Sequence, residues 1–386
     1  MPNPTNSVKV KIPCTFSFLE DPEAALDVLR EIKMHVENED IRYVQIDHEK
    51  CSKLDLCASA IMDTELIRAR DRRRGTAHSL SISGQTSDNS FDVNVMLAAA
   101  GLPHRLGLKA FEVPAELTGL FKTFEMQEGS ASHIHSSKNR NRCGTLLTDY
   151  FNSCLKTQGF QLSETGEHDI ACLLTEVIGN AEEHGGPWHA TGFWDGRKFE
   201  TSSGYAGICH IVIFNSGTSI YESIKRPDSS DDLRSILENL SAEHEAKGYF
   251  SKSNGAWNEE CLWTVYALQD RVSRYTGLPR GIDRGNGSVQ TIEFFNKLAA
   301  ANQKRMCIVS GGAYILFDGI HHLVKNERGL QTIAFNAFND LTIPPDKKYV
   351  RALKNRFDGT IFSIRLVLDH SHLEQLVKGP ENSPVV

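Results

Sequence analysis

The chain has 386 residues, 42 of them basic and 49 acidic, for a formal net charge of −7. That length suggests two or three domains at roughly 150 residues each and buries a core without disulfide staples. The acid excess gives no general attraction to nucleic acid or anionic membranes, and no apolar run approaches the roughly 20 residues a bilayer-spanning helix needs.

The opening stretch MPNPTNSVKVKIPC lacks the apolar core of a secretion signal, so a cytoplasmic protein is expected. The nine cysteines are scattered, and no pair has CxxC spacing. Several sit in apolar strings, such as ACLL and GICHIVIF, and read as reduced, small core residues. His133 and His135 can ligate a metal in principle, but with no acidic or thiol partner nearby they read as a polar loop.

In chain order, VKVKI (8–12) and YVQID (43–47) read as strands. DPEAALDVLREIKMHVE (21–37) reads as an amphipathic helix started by Pro22. DLCASAIMDTELIRARDRRR (55–74) reads as a second helix with a basic end, and residues 89–113 as a further helix and strand. Residues 1–125 thus form a small α/β domain. The Ser-, Asn- and charge-rich run 126–143 reads as a linker. Helices are then expected over 144–158 and 166–184, an apolar strand over 208–217, a mainly helical insertion over 221–280, and a helix after the glycine loop near 285. MCIVSGGAYILFD and GTIFSIRLVL read as closing strands, and 371–386 as a tail whose end, GPENSPVV, has no periodicity.

The stretch TEVIGNAEEHGG (175–186) carries the chemistry. Glu176, Asn180 and His184 fall four residues apart, so they share one helix face. Ile170, Leu173, Leu174, Val177, Ile178 and Ala181 recur at helical spacing on the opposite, apolar face. The plainer account of the three polar residues is a solvated face. Two further elements accompany them: Asn215-Ser216-Gly217 at a strand end, and Gly285-Asn286-Gly287-Ser288 before a helix, with Gly359-Thr360 opening the last strand. Taken singly these are ordinary turns and caps; their order is not.

That order, over roughly 144–370, resembles the ATP-binding domain shared by gyrase, the large heat-shock chaperones, histidine kinases and MutL, the GHKL superfamily. EVIGNAEEHG is similar to that family's N-box and closest to the form in anti-sigma-factor kinases. The resemblance implies a Bergerat-type two-layer α/β sandwich with a mixed sheet. It implies Glu176 as general base and Asn180 as Mg²⁺ ligand, and the chemistry agrees. A carboxylate can deprotonate a nucleophile, and Mg²⁺ keeps few protein oxygens beside phosphates and waters. IVIFNSGTSI looks like the second box, with Asn215 in place of the adenine-binding aspartate and Ser219 in place of the second glycine. Asparagine still accepts a bond, at a loss on the order of 1 kcal/mol for the missing charge. Gly217 allows close approach of the base, and Thr360 matches the family's adenine-supporting threonine. RGNGSVQTIEFF looks like the phosphate-cradling loop, implying roles for Arg284, Gly285, Gly287 and Ser288, with Val289 where a third glycine is usual. Arg280 and Arg284 flank that loop, as phosphate partners or as exposed loop arginines. The long segment 221–280 takes the place of the family's mobile ATP lid, although Trp257, Trp263 and Tyr266 read as packing residues.

The first domain is more faintly similar to STAS domains, with Asp55-Leu56-Cys57-Ala58 where a phosphoacceptor motif is expected and Ser59 two residues on. The missing hydroxyl implies docking rather than phosphoacceptance. Arg68 to Arg74 is the one dense basic patch, read as a solvated helix end or, more sharply, as a nucleic-acid contact.

Three functions stay open. The first is a slow ATPase switch in regulation or defence, lacking the lysine that gyrase-type ATPases receive from a following domain. The second is an anti-sigma-type serine kinase. The third is a nucleotide-sensing scaffold without hydrolysis. ATP and Mg²⁺ are the expected cofactors. A protein partner or a second copy is expected on the lid or the STAS-like domain, with neither nucleic acid nor membrane as partner.

Overall fold

The computed structural model describes residues 6–108, 111–132, 136–201, 204–252, 255–272, 287–298, 305–327 and 329–378. Side chains at 184, 185, 198, 200, 201, 204, 205, 251, 252, 298 and 375–378 also lie outside the description. The chain divides into two units between Glu125 and Met126.

The first unit runs β1 (Ser7–Lys11), β2 (Thr15–Phe16), α1 (Pro22–Glu37), β3 (Tyr43–Asp47), β4 (Lys53–Leu54), α2 (Leu56–Arg72), β5 (Ser81–Gln85), α3 (Phe91–Ala99), α4 (Leu102–Arg105) and α5 (Ala115–Thr118). β1, β3 and β5 form a parallel sheet in that order, and β2 pairs with β4, also in parallel. Parallel neighbours need crossovers, which α1 and α2 supply. α1 begins where Asp21 accepts the Ala24 N–H (3.1 Å) and Pro22 presets the first turn; it buries Ala25, Leu29, Ile32 and Val36. α2 begins at Asp55, whose Oδ1 accepts the Ala58 N–H at 2.7 Å. Its Oδ2 accepts from the Ser17 hydroxyl at 2.6 Å and the Leu19 N–H at 3.2 Å. Asp55 is therefore a cap and a loop anchor, and Ser59 is only 1 % exposed.

The basic end of α2 is not one surface. Arg73 is 8 % exposed and donates to the carbonyls of Val36, Asn38, Glu39, Ile41 and His78, which clamps the helix end to its neighbours. No strand forms among the described residues of 89–113; the next one comes later, as β6.

In the second part of the chain, β6 (Phe121–Gly129) crosses the boundary between the units. It is followed by α6 (Ser136–Thr157), α7 (Glu164–Gly185), β7 (Trp188–Thr201), β8 (Gly204–Ser216), α8 (Ile220–Ile224), α9 (Asp231–Ala246), α10 (Tyr249–Lys252) and α11 (Glu259–Tyr266). Then come α12 (Gly287–Leu298), β9 (Arg305–Phe317), β10 (Val324–Lys325), β11 (Gln331–Thr332), β12 (Val350–Asp369) and α13 (His370–Lys378). Five strands form a sheet in the order β6-β7-β8-β12-β9, and β10 pairs with β11. The β7–β8, β8–β12 and β12–β9 pairings are all antiparallel, so the sheet is not the mixed one expected. Ile211, Val212, Ile213 and Phe214 of β8 are consecutive and all buried, as on a strand covered on both faces. α7 lies against β7, β8 and β12, with α6 and α12 beside it.

Three further expectations change. The polar run 126–143 holds the end of β6 and the first turns of α6, not an open linker. Residues 371–378 belong to α13, with Leu373 buried, so the tail does not begin at 371. Helices α8, α9 and α11, read within a mobile lid, are built into the fold. α11 packs on β9 and β12, and Leu237, Trp257 and Trp263 are 0, 4 and 1 % exposed. The buried indoles are satisfied by His244 Nδ1 (3.2 Å) and the Ser241 hydroxyl (2.9 Å), as burial of such N–H groups requires. The cysteines are free thiols and seven are buried, but Cys172, read within an apolar string, is exposed. His133 and His135 lie outside the described residues.

Candidate functional site

α7 starts at Ser163, whose hydroxyl accepts the Gly166 N–H at 3.1 Å. The apolar face lands as its spacing dictates: Ile170, Leu173, Leu174, Val177, Ile178 and Ala181 are all buried. Glu176 and Asn180 are half-buried and lie one turn apart, whereas the His184 side chain lies outside the described residues. Two glycines set the neighbours. Gly144 lets α6 approach so closely that a Cβ there would lie 2.1 Å from Thr175 Oγ1. Gly179 admits Arg140, whose Cδ and Nη1 lie 3.3 Å from where a Cβ would be. Arg140 bonds Glu182 at 3.3 Å, and Glu182 also accepts the Trp188 indole N–H at 3.3 Å. This cation is therefore held beside the residue that precedes Asn180. Its only local signal is the basic run KNRNR.

The decisive approach is made by α12. Its first residue, Gly287, sits so tightly on Glu176 that an added Cβ would lie 2.4 Å from Glu176 Cδ and Oε1. No side chain fits there. The first turn of a helix, where backbone N–H groups lack intrahelical partners, therefore meets the carboxylate of α7. The Thr291 hydroxyl donates to the Gly287 carbonyl at 2.7 Å. Ser288 is half-buried and Val289 is 5 % exposed, so Val289 is a core contact of α12. Arg280, Arg284, Gly285 and Asn286 lie outside the described residues.

At the end of β8, Asn215 is 1 % exposed and joins three elements. Its Oδ1 accepts the Thr360 N–H of β12 at 2.9 Å, and its Nδ2 donates to the Ala181 carbonyl of α7 at 3.2 Å. An aspartate here could make the first bond but not the second. Gly359 (φ +137°) leaves no room for a side chain, since a Cβ would lie 2.2 Å from the Asn215 carbonyl oxygen. The Gly217 N–H donates to the Asp358 carbonyl at 2.9 Å. The Thr360 and Ser310 hydroxyls are 2.8 Å apart, and Ser310 Oγ accepts the Ile220 N–H at 2.8 Å.

The structure therefore brings Gly287 onto Glu176, with Asn180 one turn further along α7, and gathers Asn215, Gly217 and Thr360 at another place. α7 spans both through Ala181, the residue after Asn180.

A charged cluster beside the strand end was not visible in the sequence. Ser219 is the N-cap of α8 in a capping box with Glu222. That bond and the neighbouring Arg356 hold the Glu222 carboxyl below its usual range. Arg356 bonds both Glu222 (2.9 Å) and Glu260, and Glu260 accepts the Gly312 N–H at 3.0 Å. Gly311, at φ +58°, passes so close that a Cβ would lie 2.1 Å from Glu260 Oε1. Ser219 thus has its own structural task where the second-box pattern has glycine.

Comparison with protein-family models, with curated proteins and with solved structures finds no match.

The donor set bears on which ligand suits the site. One carboxylate and one amide, both half-buried on one helix face, suit a hard cation that brings phosphate oxygens and waters with it. Among the described residues no three His, Cys, Asp or Glu side chains cluster into a metal cage.

Proposed function

We propose that the second unit binds a magnesium–adenine nucleotide between α7 and the start of α12, as a GHKL-type domain does, and hydrolyses it slowly as a conformational switch in regulation or defence. The observation that carries this reading is the packing of Gly287 on Glu176, residues more than a hundred positions apart. Asn180 would hold the magnesium, which when bound neutralises phosphate charge. Glu176 would orient a water and take its proton. Gly287 and Ser288, with Arg284 and Gly285 before them, would offer backbone and side-chain donors to phosphate. The Asn215 oxygen keeps one lone pair beyond its bond to Thr360, which an adenine amino group would use, with Gly217 beside it. The first unit, a parallel β–α–β sheet, would serve as the STAS-like docking module.

Titration calorimetry with ATP, ADP and Mg²⁺ tests the reading. Heat that requires Mg²⁺ and is lost in Asn180→Ala is expected; no heat with any adenine nucleotide refutes it. A scaffold without hydrolysis is the second reading, favoured by the burial of Asn215 and its two internal bonds. ATP binding with no release of phosphate, and no loss of function in Glu176→Ala, would decide for it. Transfer of label from γ-labelled ATP to a protein partner would decide for the kinase.

A further inference from the structure

The first unit holds a cavity of about 540 Å³ that the nucleotide reading leaves unused. Consecutive residues of one stretch, Ile82 to Thr86, line it. Side chains alternate between the faces of a strand, so a wall that takes every residue in turn runs along the strand's edge. That strand is β5, an edge of the parallel sheet β1-β3-β5. The same alternation gives the cavity two sides. Ile46 and Gly84 are register partners on one face, where Met62, Leu97 and Leu102 complete an apolar side. Gln45, Ser83 and Gln85 stand on the other face and make the second side polar. Leu108, also on the lining, is 58 % exposed, so the cavity opens to the surface.

The ladder to β3 decides which backbone groups the open edge presents. The Ser81 N–H donates to the Arg42 carbonyl at 2.9 Å, and the His48 N–H donates to the Gln85 carbonyl at 3.0 Å. Alternate residues of a strand turn their N–H and C=O to opposite neighbours, so Ser81, Ser83 and Gln85 face β3. Ile82 and Gly84 turn theirs to the open edge, and among the described residues none bonds them there. Gly84 is exposed, and what a glycine exposes is backbone. A Cβ on it would meet nothing closer than the Ile46 carbonyl oxygen at 3.6 Å, so space remains beside that backbone. The Ile82 carbonyl and the Gly84 N–H therefore stand side by side, one acceptor and one donor on the cavity wall. A further strand would meet them with an N–H and a C=O. A ring amide carries the same two groups next to each other in a rigid plane, with little freedom to lose on binding. Among the described residues no Asp, Glu, Lys or Arg lines the cavity, so nothing there balances a charged ligand. The volume falls within the roughly 300–1,000 Å³ of small-molecule sites, in which a few polar groups, backbone ones included, orient an apolar body.

We infer that this cavity binds a small, flat, uncharged ring amide, whose N–H donates to the Ile82 carbonyl and whose C=O accepts the Gly84 N–H, with its apolar ring on Met62, Leu97 and Leu102. The full chain is titrated with quinolin-2(1H)-one and with 1-methylquinolin-2-one, which keeps the carbonyl and lacks the N–H. The first is expected to bind about tenfold more tightly. Gly84→Pro removes an N–H that points away from β3, a place where sheets accept proline, and should weaken quinolinone binding about tenfold. Gly84→Ala keeps the N–H, and its binding should stay within about threefold of wild type. Should the proline variant fail to fold, the amide proton of wild-type Gly84 gives the answer, since quinolinone should move it downfield. Absence of quinolinone binding overturns the inference. So do equal affinities for the two probes, unchanged binding in Gly84→Pro, as large a loss in Gly84→Ala as in Gly84→Pro, or a Gly84 amide proton that does not move.

Discussion

Asp63 lies in α2 with 0 % exposure, and its Oδ1 has no hydrogen-bond partner. Its other oxygen is 3.4 Å from the Ser59 hydroxyl. Burial raises its carboxyl from the usual carboxylate range to about 7, against the pull of Arg105 and that hydroxyl. Unfolded, the group loses its proton near pH 4; folded, it keeps the proton until about pH 7. The ionisation of Asp63 therefore costs nothing below pH 4. It destabilises the fold progressively as pH rises, and the cost levels off once the pH passes 7. A shift of about 3 units at about 1.4 kcal/mol each gives a penalty of about 4 kcal/mol at pH 8. Asp63→Asn removes the ionisation and leaves the shape. Relative to wild type, the variant should gain about 4 kcal/mol between pH 4 and pH 8, whatever its constant offset. Hydrogen exchange of the α2 amides in urea, measured by mass spectrometry at each pH, reports this on the first unit alone. If the difference between variant and wild type stays flat within about 0.5 kcal/mol, the buried-acid argument is wrong.

Other outcomes follow from close contacts. Gly287→Ala should weaken Mg–ATP binding tenfold or more by displacing Glu176, while helix propensity favours Ala and the melting temperature stays within about 3 °C; calorimetry and a thermal scan check this. Gly311→Ala should cost about 3 kcal/mol, from a left-handed backbone and a displaced Glu260, whereas Gly255→Ala, at φ +78° with open space around it, should cost about 1; urea titration compares them. Arg73→Met should cost about 3 kcal/mol through stranded carbonyls, and Arg72→Ala and Arg74→Ala less than about 0.5. The same three variants measured for DNA binding should show no loss if Arg73 is only a clamp.

Much of the fold was legible because its signals are local. YVQID is β3 to the residue, and α1 and α7 follow their caps and apolar spacing. β7 was missed because 188–196 is buried on both faces and carries no alternation. β6 was missed because FKTFEMQEG is polar and lies beside a Ser- and Asn-rich run. The insertion passed for a lid because its length was visible and its partners on β9 were not. The approach of Gly287 to Glu176 follows the order of motifs, but the triad of Glu222, Arg356 and Glu260 joins residues scattered over 134 positions, which no local pattern encodes.

β6 has a consequence for biogenesis. It is an edge strand of the second sheet, yet the ribosome makes it together with the end of the first unit. Its neighbour β7 emerges only after all of α6 and α7 have been translated. Until then the nascent chain carries a strand with open amides and carbonyls and nothing native to zip to. During synthesis this is the segment a chaperone has most reason to cover, and a protease nick there would deprive the later sheet of its border.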